Sequence, residues 1–579
     1  MKKVVRGTAF LLVPVLSFIL MESYEHNPFV EVRTEAILFN VILFELAAWI
    51  LFGLIGSTGW ALSVLLFVSM LFGITNHYIM LFRSTPFVPW DIYSVRTAYS
   101  VAGNYDFTPD LRLVVVTVLF VALMVLVHFT DIRVRGKKHL CALAAAAVPV
   151  ILLVTFVGRL QDESFQTKHH LYPFLFTPAY MTKVNGMGVT FAMNLAYVKV
   201  DKPSGYSREE AKALLESYGT KAADTAAGAD SDGTTKSCYP NIIVIMDEAF
   251  SDLAVLGDVG ASEDYMPFLH RMQQGEENTV TGYLNVSVCG GNTANTEFEF
   301  LTGNTMAFLP GGSIPYQQYI KSETPSLAGY LSDLGYMTCA MHPYYAGGWE
   351  RETVYPLLGF KQTYFLDDLQ KLSYLRKYVS DRSDMDNIIR IYEEKETGTP
   401  LFLFNVTMQN HGGYTEEYDN FTPDITAAGK DSAVLEQYLS LLKRTDQALE
   451  NLVAYFKEQD EPTILLFFGD HQPNNAVAKA FSYSDETLRY QVPYLMWANF
   501  DIEEEQQVDT SANYLSSHLL KAAGIPLYDY QNFLTELEQA YPILSAARME
   551  ENGDGQEELL SDYRKLQYYL LFDWKGEQE

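Results

Sequence analysis

The sequence predicts a protein of two classes joined end to end: a helical membrane-spanning part of five spans, then an α/β domain around a central, mainly parallel sheet. Three observations predict it. Five apolar stretches long enough to cross a bilayer lie in the first 157 residues. From residue 239 onward, short apolar runs rich in β-branched and aromatic residues alternate with helix-patterned segments. The charge is also divided sharply between the two parts.

The spans fall at 7–22, 36–56, 60–82, 111–130 and 139–157. The first is short enough to be the core of a signal peptide. No small-x-small site follows it, only Met21-Glu-Ser-Tyr-Glu25, so it is expected to stay attached. Lys2, Lys3 and Arg6 precede the first span, and Arg133, Arg135, Lys137 and Lys138 fill the loop between the fourth and fifth. The positive-inside rule puts these on the cytoplasmic side. The loop after the first span carries Glu22, Glu25, Glu31 and Glu35 against Arg33 alone, so it faces outward. Five crossings from an inside N-terminus place everything after residue 157 outside. Trp90, in the outward loop before the fourth span, reads as an interfacial anchor.

Of 41 basic and 71 acidic residues, the first 157 positions hold 11 and 9. The remainder therefore carries a net charge of −32. So acidic a part is not expected to bind nucleic acid or to lie flat on an anionic bilayer. Cysteine usage is low: Cys141 falls in a span, and Cys238, Cys289 and Cys339 show no metal-binding spacing. Residues 158–238 read as an interfacial connector that turns into a polar linker. The α/β domain is expected over 239–545, with an acidic C-terminal tail at 546–579.

Within that domain, strands are expected at 241–246, 338–341, 401–406, 464–468 and 494–497. Helices are expected at 324–335, 385–395, 431–458 and 510–523. Such alternation implies a sheet covered on both faces, with its active site at the carboxyl ends of the strands. Polar residues sit at those ends. The first strand runs into Asp247-Glu248, the second into His342, the third on to Asn410-His411, and the fourth into Gly469-Asp470-His471. Each alone reads as a solvated loop residue; four together read as a site.

The segment Cys289-Gly-Gly-Asn-Thr-Ala-Asn-Thr-Glu-Phe298 adds Thr293 after a glycine turn, at the start of a helix-compatible run. An ordinary N-cap is the plainer reading, but a hydroxyl there lies beside unpaired N–H groups that favour negative charge. Glu248, Asp470, His471 and the Thr293 oxygen form a candidate divalent-metal site. Two carboxylates and an imidazole suit Mn²⁺ or Zn²⁺, whereas Mg²⁺ prefers more oxygens. Thr293 is then the candidate nucleophile. His411 and His342 are left to bind phosphate or donate a proton, with Trp349 as an aromatic wall and Arg351 as a phosphate clamp.

These motifs resemble the lipoteichoic acid synthase and phosphoglycerol transferase group of the alkaline phosphatase/sulfatase superfamily. The resemblance rests on Met246-Asp-Glu248, Gly291-Asn-Thr-Ala-Asn-Thr-Glu-Phe298, His342 followed by Trp349 and Arg351, Asn410-His411 and Gly469-Asp-His471. It implies an extracellular sulfatase-like α/β/α domain on a multi-pass bacterial membrane anchor. It implies a metal, typically manganese, on Glu248, Thr293, Asp470 and His471, and a glycerol-phosphate pocket of His342, Trp349, Arg351 and His411. The implied reaction moves glycerol phosphate from phosphatidylglycerol to a teichoic-acid or membrane-glycan acceptor through a threonine-linked intermediate. A phosphoethanolamine transferase or phosphodiesterase of the same superfamily is the alternative, and an inactive scaffold a more distant one. Asn292 stands where lipoteichoic acid synthases have a lysine, which leaves the acceptor open. The Cys-x-Pro-x-Arg pattern of true sulfatases is absent around Cys289, which disfavours sulfate ester hydrolysis.

The topology is testable by fusing alkaline phosphatase after residue 200. The reporter, active only outside the cytoplasm, should be active; a silent fusion of normal abundance would reverse the orientation.

Overall fold

The structure, a computed structural model, describes the chain except residues 1, 84–85, 95–106, 173–177, 199, 227–238, 428–432, 554–555 and 575–579. The last part of the polar linker expected to end the 158–238 connector, residues 227–238, thus lies outside the described residues. The chain divides into two compact units: Met1–Ile92, Asp106–Val200 and Pro310–Gly312 form one, and Tyr93–Tyr105, Asp201–Leu309 and Ser313–Glu579 the other.

The first unit is helical. Four stretches are long and apolar enough to cross a membrane: Thr34–Ile55, Thr58–Phe82, Leu111–Thr130 and Lys137–Leu160. The segment expected as the first span is also helical, Lys2–Glu22. Val114, Val118 and Val125 on one helix, and Val148, Ile151 and Val154 on another, are exposed on the outer surface. A helix satisfies its own backbone groups, so an apolar exterior of this kind marks the unit as membrane-embedded. Inside it, polar contacts tie the helices. Ser17 donates to Ser69 at 2.9 Å, and Asn40 both donates to the Asn185 carbonyl and accepts from the Val189 amide.

Two expectations change here. The connector 158–200 is part of this unit, because its helices Pro178–Asn185 and Met187–Asn194 are held by Asn40 and by Glu22, which accepts from the Met187 amide. Trp90 is not an interfacial anchor: its ring is 1% exposed, enclosed by protein.

The second unit is built on an eight-stranded sheet. In chain order its strands are β1 (Asn241–Asp247), β2 (Thr279–Asn285), β3 (Met337–Met341) and β4 (Gln362–Tyr364). A short hairpin outside the sheet, β5 (Tyr374–Leu375) and β6 (Tyr378–Val379), comes next. The sheet resumes with β7 (Leu401–Val406), β8 (Thr463–Gly469), β9 (Gln491–Ala498) and β10 (Thr510–Ser511). The spatial order is β10-β2-β9-β8-β1-β7-β3-β4. All neighbours pair in parallel except those on either side of β9, which runs against the rest.

Both faces are covered, so the central strands are buried at every position and mostly apolar, with Asn241, Asp247, Asn405 and Thr463 the polar exceptions. Odd-numbered residues such as Ile243, Ile245, Leu403, Leu465 and Phe467 belong to the core shared with helices Asp381–Glu394 and Ala433–Lys457. Even-numbered Phe404 and Phe468 face the other way, where Phe300 of the helix Thr293–Thr302 packs on both at 5.8 and 5.2 Å. This alternation decides where the tips point. Asp247 continues the odd face, and Glu248 and Asp470 the even face toward Thr293.

The segment expected as an acidic tail is folded. Glu557, Glu558 and Asp562 lie on a helix, Glu557–Tyr568, whose Tyr563 and Leu566 are buried with Tyr569 and Leu570 against helices Arg208–Ala226 and Asp529–Ala540. The apolar residues recur at helical spacing between the charges, and overall acidity hides that stripe.

Candidate active site

Parallel register sets the level of the site. Met246 of β1 lies beside Val406 of β7 and Phe468 of β8, and Met341 of β3 lies beside Asn405. The strands therefore end together, and the residues that follow them meet. Gly469 permits the closest approach, because a Cβ there would sit 1.9 Å from the Phe250 carbonyl oxygen.

Thr293 begins a helix that is buried at every position from Thr293 to Thr302. The turn before it needs left-handed backbone at Asn292, φ 66° and ψ 38°, which asparagine adopts more readily than most residues. Thr293 Oγ1 donates to Glu248 Oε2 at 3.2 Å. Glu248 Oε1 and Asp470 Oδ2 lie 3.9 and 3.3 Å from His471 Nε2. Glu248, Asp470 and His471 thus form a cluster whose donor atoms all lie within 4.8 Å of one another. The four residues proposed as ligands come together, all of them buried.

The chemistry of this cluster fits a divalent cation. Asp470 Oδ2 and His471 Nε2 are buried without a hydrogen-bond partner. The other oxygen of Asp470 accepts from the Ala249 and His471 amides, both at 2.7 Å. His471 Nδ1 lies 2.9 Å from the Gln472 carbonyl, which accepts its proton and leaves the Nε2 lone pair facing the carboxylates. Burial, and then the Asp470 charge, push the Glu248 carboxyl well above its ordinary range. Burial also raises Asp470, against the opposing pull of His471. Protein groups alone do not supply the positive charge that two ionised carboxylates need here.

The pocket residues have their own network. Arg351 is 3% exposed and gives Nε and Nη2 to Glu297, with Nε 3.0 Å from Oε1. Its Nη1 lies 3.0 Å from His342 Nε2. His342 Nδ1 donates to the Val406 carbonyl at 2.8 Å, so Nε2 accepts from Arg351 and the ring is neutral. Burial and then the Arg351 charge hold His342 well below its usual value. Arg351 is therefore not the free fork expected of a clamp; three of its five N–H groups are directed at Glu297 and His342. Trp349 and Glu350 both have positive φ, 54° and 60°, in the turn that leads into Arg351.

His411 is brought to the same place. Burial first, then Arg376 and His471, lower its pKa to about 3, so it is neutral at ordinary pH. The Tyr378 hydroxyl lies 3.0 Å from His411 Nδ1. Behind it, Asn410 Nδ2 donates to Asp247 Oδ1 at 2.8 Å and joins the tip of β1 to the loop after β7.

Two residues had no assigned role in the sequence. Glu297 lies inside the quoted motif, one helical turn after Thr293, where a buried acid requires a cation such as Arg351. Arg376, at the β5–β6 turn with φ 54°, donates from Nη2 to the Gln409 and His411 carbonyls at 2.7 Å and from Nη1 to Gly413 at 3.3 Å. It lies over the rings of Tyr378 and Tyr414, 5.4 Å from each centroid. Its partners are carbonyls and ring faces, which leave no pattern in a sequence.

A buried hydroxyl at a helix start, beside a carboxylate and imidazole cluster on parallel strand tips, is an arrangement suited to metal-assisted phosphoryl-type ester chemistry. Residues 240–525 match the family model described as Sulfatase. A "putative cyclic beta-1,2-glucan modification protein" of Rhizobium meliloti (strain 1021) is 31% identical over 457 residues, 74% of this chain and 68% of that protein. The chain belongs to the same family as that rhizobial protein and carries a Sulfatase domain. Two solved structures share the fold. Streptococcus pyogenes phosphoglycerol transferase GacH, in complex with sn-glycerol-1-phosphate, matches with TM-score 0.53 and 22% identity over 64% of this chain and 95% of its own. The integral membrane lipooligosaccharide phosphoethanolamine transferase A (EptA) of Neisseria meningitidis matches with TM-score 0.51 and 14% identity, over 89% of this chain and 95% of that one.

Two outcomes test this site. Asp470→Ala should lose the bound divalent metal, read by elemental analysis of purified protein; a normal metal content would relocate the site. Arg376→Lys keeps the charge but cannot span three carbonyls. It should lower turnover on the order of 10²-fold with unchanged metal content, because a displaced His411 loop misplaces substrate. Unchanged turnover would remove Arg376 from the machinery.

Proposed function

We propose that this protein transfers phosphoglycerol from phosphatidylglycerol to a glycan acceptor outside the cytoplasm. The observation that carries the reading is the Thr293 hydroxyl, hydrogen-bonded to Glu248 at the edge of the Glu248–Asp470–His471 cluster. Glu248, Asp470, His471 and Thr293 hold the divalent cation, for which Mn²⁺ or Zn²⁺ is the best match to the donors. When bound, the cation lowers the pKa of the hydroxyl and neutralises charge on the phosphoryl oxygens.

The Thr293 oxygen attacks the phosphorus, and the bond from phosphorus to the diacylglycerol oxygen breaks. That oxygen leaves as diacylglycerol carrying the proton that the Thr293 hydroxyl gives up, and the glycerophosphoryl group stays on Thr293. An acceptor hydroxyl then attacks the same phosphorus and frees the threonine. The helix N-terminus at Thr293 favours the negative charge that builds in both steps. Neutral His411 serves as a hydrogen-bond donor to the phosphoryl group when Tyr378 donates to its Nδ1, rather than as an imidazolium acid. The two remaining N–H groups of Arg351 and the face of Trp349 bound the glycerol-phosphate pocket, with His342 fixing Arg351 in place. A glycan acceptor, rather than a teichoic-acid chain, is favoured by the name of the rhizobial relative.

The test supplies purified protein and Mn²⁺ with labelled phosphatidylglycerol. The wild type should release diacylglycerol, and with donor alone mass spectrometry should find a glycerophosphate adduct on Thr293. Thr293→Ala should abolish release while the fold survives, since it removes one buried hydrogen bond, to Glu248, at a cost of about 1–3 kcal/mol. Robust release by the alanine variant would mean that water attacks and the enzyme is a hydrolase. Release from phosphatidylethanolamine instead would favour the phosphoethanolamine alternative.

A further inference from the structure

The helical unit carries a second structured site, well apart in sequence from the strand tips. The turn Gly56-Ser57, between Thr34–Ile55 and Thr58–Arg83, pairs with the loop before Lys137–Ala145 through an antiparallel bridge between Ser57 and Arg133. Its backbone bonds run from Thr58 to Ile132 at 3.0 Å and from Val134 to Gly56 at 2.8 Å. Asp131 locks the arrangement by accepting from the Ser57 hydroxyl and the Gly59 amide, each at 2.8 Å. Between turn and loop lies a cleft of about 330 Å³ lined by Ser57, Trp60, Arg133, Arg135 and His139 among others. Gly56 has φ 72°, and a Cβ there would meet the His139 ring at 2.8 Å, so the cleft depends on a glycine at that position.

The charge around this cleft is one-sided. Arg133, Arg135, Lys137 and Lys138 are exposed, and Arg6 belongs to a helix end on the same face, since Phe10 packs on Trp49 and Phe52 at 4.9 and 5.7 Å. Among the described residues of these helix ends the single carboxylate is Asp131, and Arg133 Nε already lies 2.6 Å from it. Diffuse basic charge at a helix end would only orient the chain; here the guanidinium groups line a shaped, hydrogen-bonded cleft at the end of membrane-crossing helices. Trp60, 55% exposed at its rim, is the residue type that settles at the headgroup level.

We propose that this cleft binds the phosphate headgroup of an anionic phospholipid in the leaflet it faces. Arg133 and Arg135 take the phosphate oxygens, Trp60 lies beside the glycerol backbone, and the acyl chains run along the apolar helices. The site is separate from catalysis and does not depend on which donor the enzyme uses.

The test is native mass spectrometry of the full-length protein in mild detergent, titrated with phosphatidic acid, which carries no headgroup alcohol to transfer, or with phosphatidylcholine. Phosphatidic acid should be retained in preference. Arg135→Gln, which removes no contact within the protein, should reduce retention roughly fivefold or more, as loss of a charge-assisted hydrogen bond would. Arg133→Gln should do the same, and Arg6→Gln, outside the cleft, should not. Equal retention of phosphatidylcholine, or no effect of Arg135→Gln, overturns the proposal. An equal loss in Arg6→Gln would reduce it to diffuse surface charge. Displacement of phosphatidic acid by inorganic phosphate would make the ligand a soluble anion and overturn the lipid assignment.

Discussion

Negative charge buried at the strand tips is the constraint around which the catalytic unit is arranged. Glu297 and Glu248 make a controlled comparison within one pocket. Glu297 is fully buried and has Arg351 and the Tyr355 hydroxyl as partners. Glu248 and Asp470 are also buried, yet among the described residues no lysine or arginine bonds to either; the Arg351 charge acts on Glu248 only from a distance, and His471 offers a lone pair. Breaking or omitting one partner of a buried ion pair is costly on the order of 3–5 kcal/mol. A chain that leaves two carboxylates in that condition is built to hold a cation, and the unpartnered Asp470 Oδ2 and His471 Nε2 mark where it belongs.

The surrounding structure follows from delivering those groups. Parallel strands in register end at one level, and the side-chain alternation that buries Phe404 and Phe468 under Phe300 turns Glu248 and Asp470 toward the same helix. The odd face receives Asp247, which is used structurally: Asn410 bonds to it and to Thr445, fastening the His411 loop to the long helix behind the sheet. Arg376 holds the other side of that loop. The His411 ring is thus set between two buried supports.

Part of this was open to sequence reasoning because the pattern changes sharply where an apolar strand ends in a ligand-type residue. β1, β3, β7 and β8 all show that change, and the four clusters of polar residues after them fall together in space. β2 was missed: Thr279-Val-Thr-Gly-Tyr-Leu-Asn285 is half polar, and Gly282 is required where the Val508 carbonyl would lie 2.0 Å from a Cβ. Strand propensity is weak in such a segment, and its position next to the antiparallel β9 is a tertiary decision. The roles of Glu297 and Arg376 were hidden for a related reason, since their partners lie 54 residues away or are backbone carbonyls. The acidic segment near the C-terminus misled through composition, which averages away a buried stripe of Tyr563, Leu566 and Leu570.

That C-terminal helix also decides how the catalytic unit is moored. The chain enters the unit through helix Arg208–Ala226, and Ala211, Leu215 and Tyr218 of that helix share a core with Phe533, Leu537, Tyr563 and Leu570. Tyr206 adds a hydrogen bond to Asp573 at 2.7 Å, closing the entry of the chain against its last turn. None of these residues belongs to the pocket. The helix by which the chain enters the unit is therefore fastened to the last described helix by an aromatic clasp that shares no residue with the Glu248–Asp470–His471 cluster.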